Sequence, residues 1–258
     1  MAAETQYTAN TGIQTISTAN SNLDGTGTLS SAIITGSLYG TLIKTVRIKA
    51  QGNTTHGMVR LFVCQKSTTK LISEIEIPAT TKSETDSTFE VVIPLFLTIQ
   101  CNYVLKASTE KAESFNVIAE AQDWDYYTTS VRAETTTFAA INGIANLTTA
   151  NSNLDGSGDV QTVITSSGCN ICSITIQAIV STTDGMVRLY LYDGTNTKLF
   201  MEIPVIATTK SSVAKAFNRR IVFDNGFALK NGWSIKASTE KGEAIKVIAD
   251  ALNWTYPA

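Results

Sequence analysis

Two stretches of the chain carry side-chain oxygens at alternate positions. The first reads Asn20-Ser21-Asn22-Leu23-Asp24-Gly25 and the second Asn151-Ser152-Asn153-Leu154-Asp155-Gly156. Oxygen ligands at every second position are how calcium loops are built. Each stretch has a single carboxylate, however, and lacks the terminal Glu of an EF-hand. Asn and Asp also bond their own backbone two residues on, which makes tight turns. The turn is the reading adopted, so no metal is expected.

Other residue types point to further chemistry. Glu110, Lys111 and Glu113 recur as Glu240, Lys241 and Glu243. Paired carboxylates serve glycoside hydrolysis, but two acids on one wet turn have little to push their pKa values apart. They are read as a solvated turn, with contact to a neighbouring subunit as the functional version. Arg60 and Arg188 interrupt otherwise apolar runs at the same place. Three readings stand: an outer strand face, an arginine under a facing loop and paired to a carboxylate, or an interface hot spot. Exposed aromatics would suggest sugar stacking, but those of this chain lie at strand ends, where a Trp more often plugs a sandwich. Only Trp233, which stands where the first half has Tyr103, hints at a specialised role. Cys169 and Cys172 form a lone CxxC, and Cys64 and Cys101 have no cysteine counterparts. With His56 the only histidine and no second CxxC, a four-ligand zinc site could use these residues only by coincidence, and a Ser-His-Asp set in each half is impossible. A Gly-rich phosphate loop of standard form is also missing. The chain is therefore read as a non-enzyme without catalytic residues, metal or cofactor, whose interface candidates are Asn20, Asn22, Asp24, Asn151, Asn153, Asp155, Glu110, Lys111, Glu240, Lys241, Arg60, Arg188 and Trp233.

These residues are positioned by a repeat. Thr18–Gly25 and Thr149–Gly156 share the octapeptide TANSNLDG. Gly57-Met58-Val59-Arg60-Leu61 returns as Gly185-Met186-Val187-Arg188-Leu189, and Thr69-Lys70-Leu71 as Thr197-Lys198-Leu199. Ala79-Thr80-Thr81-Lys82 returns as Ala207-Thr208-Thr209-Lys210, and Lys106–Lys111 as Lys236–Lys241. Trp124 and Tyr126 return as Trp254 and Tyr256. A period of about 130 residues is far longer than a solenoid repeat of ~20–50, so the unit is a whole domain. The expected organisation is an N-terminal arm over 1–10, a domain over 11–126, a linker over 127–141 and a second domain over 142–258.

Composition agrees with two globular domains. The 258 residues are 43% hydrophobic and 16% charged, with a net charge of −2. That balance, without a basic run, argues against nucleic acid as a partner. The most apolar stretch, 91–99, is interrupted by Pro94 and too short to span a bilayer, so no membrane partner is expected. The N-terminus lacks the basic and apolar regions of a signal peptide.

Hydrophobicity alternates with period two, and Thr, Ile and Val dominate, which predicts strands. In the first half the expected strands are Gly12–Thr18, Thr28–Thr35, Leu42–Ala50, Met58–Cys64, Leu71–Ile77, Phe89–Leu97, Tyr103–Ser108 and Phe115–Gln122. Eight matching strands follow in the second. Val46, Ile48 and Ala50 are expected to face a core, and Thr45, Arg47 and Lys49 to face water. The fold class is all-β: two tandem antiparallel β-sandwiches of jelly-roll type, with a seven-stranded immunoglobulin-like sandwich as the alternative.

The strings NSNLDGTGT, IKTVRIKAQGNTTHGMVRLFV and YVLKASTEKAESFNVIAEAQDW, with DGMVRLYLYDGTNTKL, NGWSIKAST and EAIKVIADALNW in the second half, resemble a family of small β-rich phage and prophage virion proteins. The resemblance implies an auxiliary or decoration protein on the outer capsid surface of a virion, made in the bacterial host cytoplasm. The implied partners are the major capsid protein and further copies of the chain, as a trimer. It carries over no catalytic residues. A carbohydrate-binding module of a phage head or tail fibre is the alternative.

Overall fold

A computed structural model describes residues 5–126, 137–211 and 213–255. Among these there are sixteen strands and no helix, so none long and apolar enough to cross a membrane. The first eight strands are β1 (Thr5–Ile16), β2 (Ile34–Thr35), β3 (Thr41–Ala50), β4 (Gly57–Gln65), β5 (Thr68–Ile77), β6 (Glu90–Ile99), β7 (Tyr103–Thr109) and β8 (Phe115–Tyr126). The second eight are β9 (Thr137–Leu147), β10 (Gln161–Thr165), β11 (Cys169–Ala178), β12 (Gly185–Tyr192), β13 (Thr197–Val205), β14 (Asn218–Leu229), β15 (Ser234–Thr239) and β16 (Ile245–Thr255). The chain divides into two compact units, one built on each set.

In the first unit the sheets have the orders β1-β8-β3-β6 and β2-β7-β4-β5. In the second they are β9-β16-β11-β14 and β10-β15-β12-β13, the same order shifted by eight strands. This is the jelly-roll order. A ribbon pairing β1 with β8, β2 with β7, β3 with β6 and β4 with β5 is rolled until β3 meets β8 and β4 meets β7. Rolling turns one face of each sheet inward. Val46, Ile48, Ala50, Val59, Leu61, Leu105, Phe115 and Val117 fill the first core. Ile174, Ile176, Val187, Leu189, Ile235 and Val247 are buried in the second. Eight strands per unit rule out the seven-stranded alternative.

Several expectations need correction. Residues 5–10 are not a free arm, because β1 pairs in unbroken register with β8 from Thr5↔Tyr126 to Ile16↔Phe115. Likewise β9 begins at Thr137, inside the span assigned to the linker, and residues 127–136 lie outside the described residues. The strand expected over Thr28–Thr35 shrinks to two residues. Most of that segment belongs to a loop that bonds to β7 through Ser30 N–H to the Ala107 carbonyl and Ile33 N–H to that of Leu105.

Nor is the outer face of β3 wet. Lys49 is fully buried, its Nζ donating to the Thr88 carbonyl at 3.0 Å and lying 3.6 Å from Glu90 Oε2. Arg47 also pairs with Glu90. Alternation assigns residues to faces, but it does not report whether another segment covers the outer one. The edge strand β6 carries Pro94 and a break in register between Ile43 and Thr45 of β3, devices that blunt an exposed edge.

Matched Gly12 and Gly143 serve close approach. An added Cβ would fall 1.7 Å from the Ile33 carbonyl oxygen and 2.2 Å from that of Val163, respectively. Gly52, by contrast, has nothing within 4 Å of its Cβ position. Gly12→Ala is expected to cost the first unit about 1–3 kcal/mol, and Gly52→Ala far less. Denaturant midpoints of the two variants check this; equal midpoints would contradict it.

Candidate functional site

The repeated motifs converge on one place in each unit, a loop strapped across the outer face of the β4 or β12 strand. The strap begins where Asn20 N–H donates to the Thr109 carbonyl, and Asn151 N–H to that of Thr239, each at 2.7 Å. Asn20 then organises the loop. Its Nδ2 donates to the carbonyls of Thr26 and Thr28, both at 2.9 Å, and its Oδ1 accepts Asn22 N–H at 3.0 Å. Asn151 repeats the pattern with Ser157, Asp159 and Asn153. The buried amide thus closes the turn from inside, as an Asx hub.

Two glycines complete each strap. Gly27 and Gly158 have φ of +78° and leave room for the hub, since a Cβ would lie within 2.9 and 3.0 Å of the Asn side chains. Gly25 and Gly156, also left-handed, lie on the β4–β5 and β12–β13 hairpin tips. A Cβ there would stand 2.2 Å from Thr69 and 2.5 Å from Thr197, which explains why the Thr-Lys-Leu motif returns with the octapeptide. Asp24 Oδ1 accepts both N–H and Oγ1–H of Thr26, and Asp155 Oδ1 accepts Ser157 N–H. The side-chain and then the backbone hydrogen bonds of Thr26 and of Ser157 hold the two carboxyls below the ordinary aspartate value. Of the oxygens weighed for a cation, those of Asn20, Asp24, Asn151 and Asp155 accept the loop's own backbone N–H groups, and among the described residues no cluster of three acidic, Cys or His side chains gathers to hold a metal.

Beneath the strap lies the arginine. Arg60 Nε donates to Glu74 Oε1 at 2.9 Å and its Nη1 to the Asn20 carbonyl at 3.3 Å. Arg188 Nε donates to Glu202 Oε1 at 3.1 Å and Nη1 to the Asn151 carbonyl at 3.2 Å, while Nη2 is 3.5 Å from Glu240 Oε1. A buried guanidinium without partners is costly, so carboxylate and carbonyl are obligatory company. In the second unit Tyr190 adds a bond, its hydroxyl donating to the Asn153 carbonyl at 2.7 Å beside Ser238 Oγ at 3.1 Å. The first unit has Phe62 there, and the matching Ser108 Oγ is buried with no hydrogen-bond partner among the described residues.

The remaining candidates separate. Asn20, Asn151, Arg60 and Arg188 are buried and bonded internally, so as interface residues they are corrected: their polar atoms fasten the strap. Asn22, Asp24, Asn153, Asp155 and Lys111 are exposed. Glu110, Glu240, Lys241 and Trp233 are half-buried. The acidic turn is more than solvated. Glu113 Oε1 accepts Thr55 N–H and Glu243 Oε1 accepts Thr183 N–H, while the Lys111 and Lys241 stems pack over Gly57 and Gly185. Trp233 sits in the turn before β15, with Ser166 N–H on its carbonyl, as Gly36 N–H is on that of Tyr103. The cysteines are free thiols, and burial pushes that of Cys169 up. Tyr256 lies outside the described residues. Glu74 and Glu202 were missed as sites, although their equal distance past the Thr-Lys-Leu motif was the available signal.

No protein-family model matches the chain, and no curated protein does. Among solved structures it is similar to the major capsid protein P2 from bacteriophage PM2, at 10% identity over 95% of this chain and 98% of that one, with a TM-score of 0.26. A Macrobrachium rosenbergii nodavirus structure (10% identity, 98% of each chain) and a fucolectin from striped bass serum (10% identity, 98% and 100%) both have a TM-score of 0.24. Similarity at this level assigns no family.

Two predictions follow from the strap. Arg188→Ala leaves Glu202 buried without its cation and is expected to cost the second unit about 3–5 kcal/mol in denaturant unfolding; a loss below ~1 kcal/mol would contradict the lock. The depressed Asp24 and Asp155 carboxyls contribute stability above the ordinary value of 3.8 and lose it as pH falls through their lower folded values. NMR titration of both carboxyls should give midpoints below 3.8, and midpoints at or above it would count against the turn geometry.

Proposed function

We propose that the chain is a structural protein of a phage virion, an auxiliary or decoration protein bound to the outside of the head, and not an enzyme. The observation that carries this reading is where the polar residues go. The motif residues with chemical potential, Arg60, Glu74, Asn20 and their counterparts, are committed to bracing two jelly-roll units. Large apolar side chains meanwhile stand in solvent, among them Leu38, Phe96 and Val222. A braced scaffold with exposed apolar points is suited to contact rather than turnover. The sequence resemblance to small phage virion proteins supplies the setting, and tandem duplication supplies two similar contact units per chain. In this reading the partners are the major capsid protein and other copies of the chain, as a trimer.

The sugar-binding alternative rests on Trp233, which stays partly exposed at a strand end. A tryptophan fluorescence shift on a glycan panel, lost in Trp233→Ala, would favour it.

Quantitative mass spectrometry of purified particles tests the main reading. Copies in the hundreds per particle, in fixed ratio to the main shell protein, are expected. A dozen or fewer would move the chain to a tail, vertex or fibre, and absence from particles would overturn the assignment.

A further inference from the structure

We propose that the two straps are not equivalent: the strap of the first unit is poised to lift from its sheet, and that of the second is locked. The lifting segments carry the same eight residues, Thr18–Gly25 and Thr149–Gly156, and the same Asn hub. What differs is the floor beneath them.

The second floor holds its strap with two side chains, Arg188 Nη1 on the Asn151 carbonyl and the Tyr190 hydroxyl on the Asn153 carbonyl. The Arg188 and Glu202 side chains are fully buried, and Glu240 flanks the guanidinium at 3.5 Å. The Tyr190 hydroxyl reaches up to the Asn153 carbonyl and across to Ser238. In the first floor Arg60 meets Glu74, whose side chain is 41% exposed, so water competes for that ion pair and weakens it. Phe62 has no hydroxyl to offer the Asn22 carbonyl, and Ser108 Oγ is buried with no hydrogen-bond partner among the described residues. Buried polar atoms without a hydrogen bond among the described residues occur in both floors, Ser108 Oγ in the first and Arg188 Nη2 and Glu240 Oε2 in the second. What sets the first strap apart is therefore the missing hydroxyl bond and the partly solvated ion pair, features of a region that opens locally below the global unfolding free energy. Lifting would uncover Phe62 and the Arg60 guanidinium on the outer face of β4, a change available to the first unit alone.

The chain contains its own control. Asn20 and Asn151 follow the same residues, Thr-Ala, and precede the same, Ser-Asn, so their amides have the same intrinsic exchange rate with solvent. Each donates to a Thr carbonyl at 2.7 Å. Residue-resolved hydrogen exchange on the full chain should find the Asn20 amide exchanging about five- to tenfold faster than Asn151, the worth of one missing hydrogen bond. Phe62→Tyr should slow Asn20 toward the Asn151 rate, and Tyr190→Phe should speed Asn151 toward the Asn20 rate. Equal rates in the natural chain, a faster Asn151, or exchange of both amides only through global unfolding would overturn the proposal. So would rates that neither substitution moves.

Discussion

A guanidinium buried under a loop is the constraint on which much of each unit depends. Removing Arg188 from water is tolerable only because Glu202 supplies charge and the Asn151 carbonyl an acceptor. That carbonyl is in place because the Asn151 side chain closes its own loop, and the loop closes because Gly156 and Gly158 take left-handed backbone. The loop can lie down because Thr197, on the hairpin tip, meets a glycine with no Cβ. Each requirement names a residue that the first unit repeats: Arg60, Glu74, Asn20, Gly25, Gly27 and Thr69. The recurring strings, scattered over more than fifty residues of sequence, are the parts of one interaction.

Retention here is selective. On the outer face of the β1-β8-β3-β6 sheet, Lys49 stands in register between Asn116 and Glu90. At the matching place in the second unit, Gln177 stands between Lys246 and Asn218. The polar character of that face is kept, but Gln177 is exposed where Lys49 is buried. The strap floor tolerates less, since its arginine and carboxylate recur unchanged. Where the floor does vary, at Phe62 against Tyr190, the change is a single hydroxyl, and Ser108 is left without the partner that Ser238 has.

The fold was largely legible in the sequence because its signal is local. Period-two alternation through Val46, Ile48 and Ala50 or through Val59 and Leu61 needs only neighbouring residues to be read, and these side chains do face a core. Asp24-Gly25 and Asp155-Gly156 likewise announced their turns. What was not legible is what covers a strand from outside. Lys49 looks like a wet position in a linear pattern, yet it is buried against Thr88. For Arg60 the sequence leaves a covering loop with a paired carboxylate as one of three open readings, and identifies neither the loop, at Asn20, nor the partner, Glu74. The shortened second strand has another cause: the residues before Ile34 run beside β7 with hydrogen bonds from Ser30 and Ile33 but without the regular ladder of a strand. Residues 5–10, polar enough to pass for an arm, are held by backbone pairing with β8, to which side-chain polarity is indifferent.

The most direct test of this account is a double-mutant cycle between Asn151 and Arg188, read as the unfolding free energy of the second unit in Asn151→Ala, Arg188→Ala and the pair. If hub and guanidinium form one structure, either substitution undoes much of what the other would, and the double variant should be less destabilised than the sum by at least ~1 kcal/mol. Additive losses within about 0.3–0.5 kcal/mol would mean that loop and arginine stabilise the unit independently, and would contradict the account.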